Sequence, residues 1–261
     1  MQGLSLSQFV PGESVLHRLD PRSKVVTVLL LSVAVFTARG PLELGSLSLL
    51  CLLLMMASGI RAAYYWRSLR PFLIMIIPTA LLQVLLLPGS VCYHWGPLMV
   101  SEYGLIMAGA FSLRLIVLIL FLRLLTLTTT PNAIIHGCEK MVSPLAKIGL
   151  PVSELLTIMN LTLAFVPFFL EEGQRVRLAQ TSRGMSLREG SIRRRLESLL
   201  ALLVPLWRGA FERSTQLAEA MEARGYSAGI RRTSLYQLHW GMMDSSLSLI
   251  GMAVLLLEII H

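Results

Sequence analysis

The chain has 261 residues, of which 54% are apolar and only 15% are charged. Soluble domains carry roughly 25% charged residues, so this composition argues against a protein surrounded by water alone. The formal net charge is +8, and the basic residues lie between long apolar segments, which favours a membrane-facing region over a nucleic-acid site. The three cysteines are far apart and odd in number, which predicts neither a disulfide framework nor a CxxC metal site.

Five apolar runs approach the ~20 residues that a membrane-spanning helix needs. They predict an all-α, polytopic helical membrane protein with a bundle of about five transmembrane helices, at residues 25–38, 42–60, 71–87, 105–127 and 242–260.

Loop charges orient these runs through the positive-inside rule. Basic residues flank the first run, and Arg61, Arg67 and Arg70 follow the second, whereas residues 88–103 contain no Lys or Arg. Arg39 is the one exception to the alternation. The rule predicts a multi-pass protein of the inner (cytoplasmic) membrane, with its N-terminus and the Arg-rich region after the fourth run in the cytoplasm.

The region between the fourth and the fifth run has a different pattern. We therefore divide the chain into transmembrane helices at 1–128, a cytoplasmic region of long helices at 129–240 and a C-terminal transmembrane helix at 241–261. Thr130-Pro131 is a typical helix start, from which a helix runs to about Val142 and breaks at Ser143-Pro144. Ser153 is a second expected helix cap.

Two long helical units follow, each with an apolar first half, an internal proline and a polar second half. The first ends at Gly184, and the second ends at Arg224-Gly225. Because each apolar half continues into charged helix, the pattern favours helices that lie against the inner membrane face. A re-entrant or spanning segment at 155–170 is the alternative.

The chain lacks the residue patterns of a membrane enzyme. Its two aspartates, Asp20 and Asp244, lie near opposite ends of the sequence, the five histidines form no HExxH, and no Gly-rich loop precedes a Lys-Ser or Lys-Thr. We predict a non-catalytic protein that has no metal site or cofactor and does not bind nucleic acid, so any ATP hydrolysis depends on another chain.

Two tripeptides are the strongest local signal: Ser182-Arg183-Gly184 and Ala223-Arg224-Gly225. An Arg followed by Gly at a helix end has a simple structural explanation, since the cation complements the helix dipole and Gly adopts the left-handed cap. Two such ends, each closing a half-apolar helix on the predicted cytoplasmic side, also suggest a binding role.

The chain resembles the T components of energy-coupling factor (ECF) transporters, the EcfT/CbiQ family, over nearly its whole length. The resemblance rests on several motifs and on their order along the chain. The motifs are Pro11-Gly12-Glu13-Ser14, the segment from His17 to Lys24, Leu127-Thr128-Thr129-Thr130-Pro131, Gly149-Leu150-Pro151, Phe165-Val166-Pro167 with Glu171-Glu172, and the two Arg-Gly motifs. Ser182 departs from the usual Ala of the first Arg-Gly motif.

The resemblance implies a coupling subunit that links two cytoplasmic ABC-type, EcfA-like ATPases to a substrate-binding membrane S component, for uptake of vitamins or transition-metal ions. It implies that Arg183 engages one ATPase and Arg224 the other. The N-terminal pattern favours a shared T component over a dedicated cobalt, nickel or biotin version.

The apolar faces of the two long helices form a candidate docking surface for the S component, represented by Leu161, Phe165, Phe168 and Leu203. The alternative is that these side chains pack on each other and on the spans. The alternative function is a conventional permease that itself forms the substrate path, although the spans offer few polar side chains beyond Gln83, Arg114 and Arg123.

Two features of the fourth run predict how it packs. A charged Arg114 near its middle is costly in lipid, so we expect this side chain to face the interior of the bundle. Gly104, Ala108 and Ser112 recur at four-residue spacing, which permits the close approach of a neighbouring helix.

Overall fold

The computed structural model describes residues 9–12, 14–87, 91–95, 98–142, 151–185, 191–227 and 240–260. These form helices α1 (Val15–Arg18), α2 (Pro21–Thr37), α3 (Pro41–Ser58), α4 (Ala62–Leu86), α5 (Glu102–Thr128), α6 (Pro131–Val142), α7 (Val152–Ser182), α8 (Ile192–Ala223) and α9 (Met242–Ile260). The all-α prediction is confirmed. The expected break at Ser143-Pro144 lies outside the described residues.

One short hairpin joins α4 to α5, in the segment predicted to be a loop. Strands β1 (Val91–Trp95) and β2 (Leu98–Ser101) pair in antiparallel fashion. Their β-branched and aromatic residues suit a strand. Apolar runs this short do not reveal their secondary structure by periodicity, which explains why the hairpin was not predicted.

The predicted basic loop after α3 is much shorter than expected. Gly59 ends α3 in the left-handed conformation, with φ of 66°, and α4 begins at Ala62, so Arg67 and Arg70 lie on the helix. The third predicted run began at Pro71, but both Pro71 and Pro78 lie inside α4. Membrane helices tolerate internal proline because local adjustments and neighbouring groups satisfy the freed carbonyls.

The starts of α6 and α7 agree with the sequence signals to within two residues. Thr130 Oγ1 accepts a hydrogen bond from the Ala133 amide at 3.3 Å, as expected of a cap before Pro131. The expected cap at Ser153 is wrong by a small margin, since α7 begins at Val152 and Pro151 precedes it. The Ser153 hydroxyl instead donates to Glu154.

The chain forms two compact units, residues 1–138 with 236–261 and residues 139–235. The first has a continuous apolar core, in which α2 packs against α9, α3 and α5. The largest of its fully buried side chains are Leu31, Leu47, Tyr65 and Phe121. The second unit contains α7 and α8, which pack against each other.

Four helices are long and apolar enough to cross a membrane by length and composition: α3, α4, α5 and α7. Three of them carry predicted spans, and α7 contains the segment at 155–170 for which the sequence left spanning open. The first and the last predicted runs lie in α2 and α9, with 17 and 19 residues. The chain is therefore a multi-pass helical membrane protein.

The small-residue pattern on α5 gives the expected close approach. A Cβ atom added at Gly104 would lie 2.9 Å from the Gln83 carbonyl oxygen and 3.1 Å from that of Val84. Ala108, one turn further on, is buried. Only glycine lets the backbones of α4 and α5 come this near, so the prediction of close packing is confirmed at Gly104.

Candidate functional site

The first Arg-Gly motif closes α7 by a defined hydrogen-bond pattern. The Gly184 amide donates to the Thr181 carbonyl at 3.0 Å, and the Met185 amide donates to the Gln180 carbonyl at 3.0 Å. Gly184 has φ of 85°, a conformation that disfavours residues with a Cβ. This is a Schellman closure, in which the chain turns sharply at the glycine and leaves Arg183 as the last residue before the turn.

The second motif closes α8 in the same way. The Gly225 amide donates to Glu222 at 2.9 Å, and the Tyr226 amide donates to Met221 at 2.9 Å. Gly225 has φ of 76°. Arg224 has φ of −89°, against −88° for Arg183. The two helix ends therefore present an arginine on nearly the same local backbone, as the sequence pattern suggested.

Both tripeptides are exposed along their whole length: Ser182, Arg183, Gly184, Ala223, Arg224 and Gly225. Within the part of the chain that the structure describes, neither guanidinium has a hydrogen bond or an ion pair. The only side-chain hydrogen bond from the first tripeptide is that of Ser182, whose hydroxyl donates to the Leu178 carbonyl on its own helix. A charged fork with five donors is thus available at each helix end.

The contacts between α7 and α8 show that the helices cross in antiparallel directions. Phe168 on α7 lies beneath the guanidinium of Arg213, 5.1 Å from ring centre to Cζ. Further along α7, a Cβ atom at Gly173 would lie 3.9 Å from Leu206, which precedes Arg213 on α8. The C-terminal ends of the two helices therefore point to opposite sides of the crossing.

An apolar groove of about 560 Å³ lies at this crossing. Its walls include Phe165 and Phe169 from α7 and Leu203, Trp207 and Phe211 from α8. The Trp207 and Phe211 rings stack at 6.2 Å and are 66% and 62% exposed. No residue of α8 is buried, so this aromatic surface is open.

The structure brings part of the predicted docking surface together. Phe165 and Leu203 line the same groove, and Phe168 borders it through the Arg213 contact. Leu161 is half-buried further back along α7 and is not among the described residues that line the groove. The sequence did not indicate the antiparallel crossing that places Phe165 beside Leu203.

In the first unit, a buried polar cluster joins part of the N-terminal motif, at the start of α2, to the start of α9. Asp244 Oδ1 accepts hydrogen bonds from the Asp20 amide and the Ser23 hydroxyl, both at 2.7 Å. Its Oδ2 accepts from the Gly241 amide at 2.8 Å, next to the start of α9. Asp20 in turn caps α2 by accepting from the Arg22 amide at 2.9 Å. The two aspartates thus tie the starts of α2 and α9 together.

The motif that ends α5 joins the same cluster. The Lys24 ammonium group donates to the Thr128 carbonyl at 3.4 Å and to the His17 carbonyl at 3.3 Å. The Val10 amide donates to the Leu127 carbonyl at 3.1 Å. These motifs are separate in the sequence, and nothing in their spacing relates Asp20 to Asp244. The one usable signal in the sequence is that each aspartate lies at the start of an apolar helix, where carboxylates cap amides.

Arg114 faces protein, as expected. Its Nη2 donates to the Ala38 carbonyl, at the residue that follows the last turn of α2. A cation at a helix C-terminus is favourable because it meets the partial negative charge of unpaired carbonyls. This contact supports a structural role for Arg114 rather than a place on a transport path.

Comparisons with known proteins agree with the motifs and the fold. The family CbiQ, described as cobalt transport protein, matches residues 12–235. The chain is 37% identical over 254 residues to the "Energy-coupling factor transporter transmembrane protein EcfT" of Acidaminococcus fermentans, covering 97% of this chain and 95% of that protein. It is 38% identical to the Bacillus subtilis protein of the same name, over 259 residues and 98% of each chain.

These observations define the class as a multi-pass transmembrane protein of a transporter. The matches to these relatives cover almost the full length of each protein. The Lactococcus lactis protein of the same name, for example, is 36% identical over 98% of both chains. The chain belongs to the EcfT/CbiQ family, the transmembrane T components of energy-coupling factor transporters.

Proposed function

We propose that this chain couples two cytoplasmic ATPases to a substrate-binding S component, and that Arg183 and Arg224 are its two ATPase contacts. The observation that carries the proposal is the pair of matching helix ends. Each presents an exposed arginine without a partner among the described residues, and the two ends lie on opposite sides of the α7–α8 crossing. Such a pair suits two similar partners, one at each end.

The chemistry of each end fits a protein partner. A guanidinium stays charged and offers a rigid fork of donors that matches carboxylates and backbone carbonyls. The glycine turns the chain away directly after it, and a Cβ at Gly184 or Gly225 would meet nothing within 4 Å. The partner surface can therefore approach the arginine closely on that side.

We further propose that the S component docks on the open apolar surface of α7 and α8, at Leu161, Phe165, Phe168 and Leu203. Large exposed apolar patches mark interaction sites on proteins. The groove at Phe165 and Leu203 offers the concave, aromatic-rich shape in which interface hot spots form. Docking there places the S component beside the α7–α8 crossing, from which the two helices extend to Arg183 and Arg224.

In this proposal the chain lies in the inner membrane with its N-terminus and arginine tips in the cytoplasm. It catalyses no reaction, and its ATPase partners supply the free energy. The transported substrates are vitamins or transition-metal ions, and the S component selects among them.

The test is co-purification of the tagged chain followed by uptake in proteoliposomes. We expect two ATPase subunits and one small membrane protein to accompany the chain, and we expect uptake only when all are present. A conventional permease would instead transport with its ATPases alone, without an S component. Uptake under those conditions would reject the proposal, as would arginine tips that react with a membrane-impermeant reagent from the outer side.

A further inference from the structure

We propose that the α7–α8 groove binds an anionic phospholipid, with an acyl chain along its aromatic walls and the phosphate group on Arg213. The inference concerns the state in which no S component is docked, and in that respect it rests on the proposed function. It assigns a ligand class to a site that would otherwise expose its aromatic side chains.

The groove has the shape and surface that an acyl chain requires. Its volume of about 560 Å³ lies within the ~300–1,000 Å³ typical of small-molecule sites. Phe165, Phe169, Leu206, Trp207 and Phe211 give it almost entirely apolar walls. Burying apolar surface here gains ~25 cal/mol per Å², which a flexible hydrocarbon chain can achieve without a matching rigid surface.

Arg213 gives one edge of the groove a positive charge. Among the described residues that line it, Arg213 is the only charged one, and Ser214 beside it is the only other polar one. The guanidinium lies over the Phe168 ring, at 5.1 Å, and its only hydrogen bond to a described residue is a long one, 3.4 Å, to Gln216. An apolar floor with one cation at its edge complements a lipid tail and its phosphate.

Two other arginines on α8 differ from Arg213 in their pairing. Arg193 pairs with Glu197 at 3.4 Å, and Arg208 pairs with Glu212 at 2.9 Å, each one turn along the helix. No carboxylate in the described part of the chain pairs with Arg213. Apart from the long hydrogen bond to Gln216, its donors have no partner among the described residues and can bind a phosphate, which a guanidinium does in a two-pronged manner.

The positive charge of Arg213 favours an anionic phospholipid over an apolar protein segment as the ligand of the groove when no S component is docked. A purely apolar helix would bury the Arg213 edge without a counter-charge, and an unpaired buried charge is costly. Anionic lipids are abundant at the cytoplasmic membrane surface and attract basic side chains there. When the S component docks, we expect it to displace the lipid from the shared floor at Phe165 and Leu203.

The test uses the intrinsic fluorescence of Trp207, which lines the groove. In the full-length chain, Trp66→Phe, Trp95→Phe and Trp240→Phe leave it as the only tryptophan. This protein is placed with its ATPases, without an S component, in nanodiscs that contain brominated phosphatidylglycerol or brominated phosphatidylcholine at equal mole fraction. Quenching should favour the anionic lipid about fivefold, the ratio that corresponds to ~1 kcal/mol per basic residue at an anionic surface.

Arg213→Gln should abolish this preference, and Arg208→Gln, which removes the same charge five residues away on α8, should retain it. Native mass spectrometry of chains that keep all four tryptophans is the second measurement, and it guards against misfolding of the single-tryptophan variant. The bound anionic phospholipid should be lost with Arg213→Gln and retained with Arg208→Gln. Equal quenching by both lipids, equal effects of both variants, or no quenching because a second copy covers Trp207 would each overturn the proposal. If the S component fails to relieve the quenching, only the shared docking floor is rejected.

Discussion

The two units of this protein differ in what their helices bury. In the first, α2 lies between α9, α3 and α5 and buries Leu31, Ala34 and Val35 almost completely. In the second, α8 runs for 32 residues without one buried side chain. The first unit has a continuous buried core and joins Asp20 to Asp244 by a buried hydrogen bond. The second leaves an aromatic groove and two arginine tips without such partners among the described residues.

This difference separates two kinds of mutation. Changes in the first unit should lower the stability of the isolated chain. Replacing the exposed side chains at the helix ends and groove of the second should leave its stability unchanged and should act on assembly and transport. Four predictions test this division, in order of decreasing expected effect.

The largest effect should come from the double variant Arg183→Ala, Arg224→Ala. We expect uptake to fall at least tenfold, because truncating one partner of a buried charge pair costs about 2–5 kcal/mol. The melting temperature of the isolated chain should not change. Arg175→Ala is the matched control, since this exposed α7 residue pairs with Glu172. Normal uptake and ATPase co-purification in the double variant would contradict the proposed role of both arginines.

Asp244→Ala should destabilise the first unit. It removes the acceptor for the Asp20 amide and the Ser23 hydroxyl, and each buried donor left unpaired costs ~1–3 kcal/mol. Thermal unfolding of the purified chain in detergent measures the change. Ser246→Ala, whose exposed hydroxyl bonds only the Met243 carbonyl, should be nearly neutral. An unchanged melting temperature with Asp244→Ala would contradict the view that changes in the first unit act on stability.

Gly104→Ala should also destabilise the first unit, by ~1–3 kcal/mol for an overpacked contact. The added methyl group would lie 2.9 Å from the Gln83 carbonyl oxygen, on backbone that cannot move aside easily. Gly109→Ala on the same helix meets nothing within 4 Å and should not share this loss. The same unfolding assay compares the pair, and equal melting temperatures would argue against close packing of α4 and α5.

The smallest effect should come from Gly225→Ala. A left-handed conformation costs a residue with a Cβ roughly 1–2 kcal/mol, so the end of α8 should open and ATPase binding should weaken. Gly209→Ala, inside the same helix and in open space, should instead favour the helix by ~0.5–1 kcal/mol. Helix content by circular dichroism and ATPase affinity together check the pair. Unchanged affinity with Gly225→Ala would show that the turn does not position Arg224.

The features that the sequence predicted correctly are local ones. The start of α6 at Pro131 and the ends of α7 and α8 follow from a cap residue, a proline or a glycine within one turn. Gly104 was found because small residues at four-residue spacing lie on one helix face. In each case the signal and the structure that it specifies lie within the same few residues.

The features that the sequence missed depend on residues far apart in the chain. The hydrogen bond between the Asp20 amide and Asp244 joins positions separated by 224 residues, and no periodicity records such a pairing. The antiparallel crossing of α7 and α8 likewise depends on which faces meet, because two apolar stripes can pack in either direction. The predicted contacts of Arg183 and Arg224 with ATPases stay predictions, since they involve chains outside this one.

The antiparallel crossing has a mechanical consequence. Roughly 15 Å of helix separates Gly173 from Arg183, and a similar length separates Arg213 from Arg224, at 1.5 Å per residue. A 10° rotation of either helix about the crossing would then displace its tip by about 3 Å while hardly moving the aromatic rings at the crossing. Forces in opposite directions on Arg183 and Arg224 would act as a torque about the crossing. A large displacement of the two helix ends would then produce a small change, with a larger force, in the angle between the groove walls.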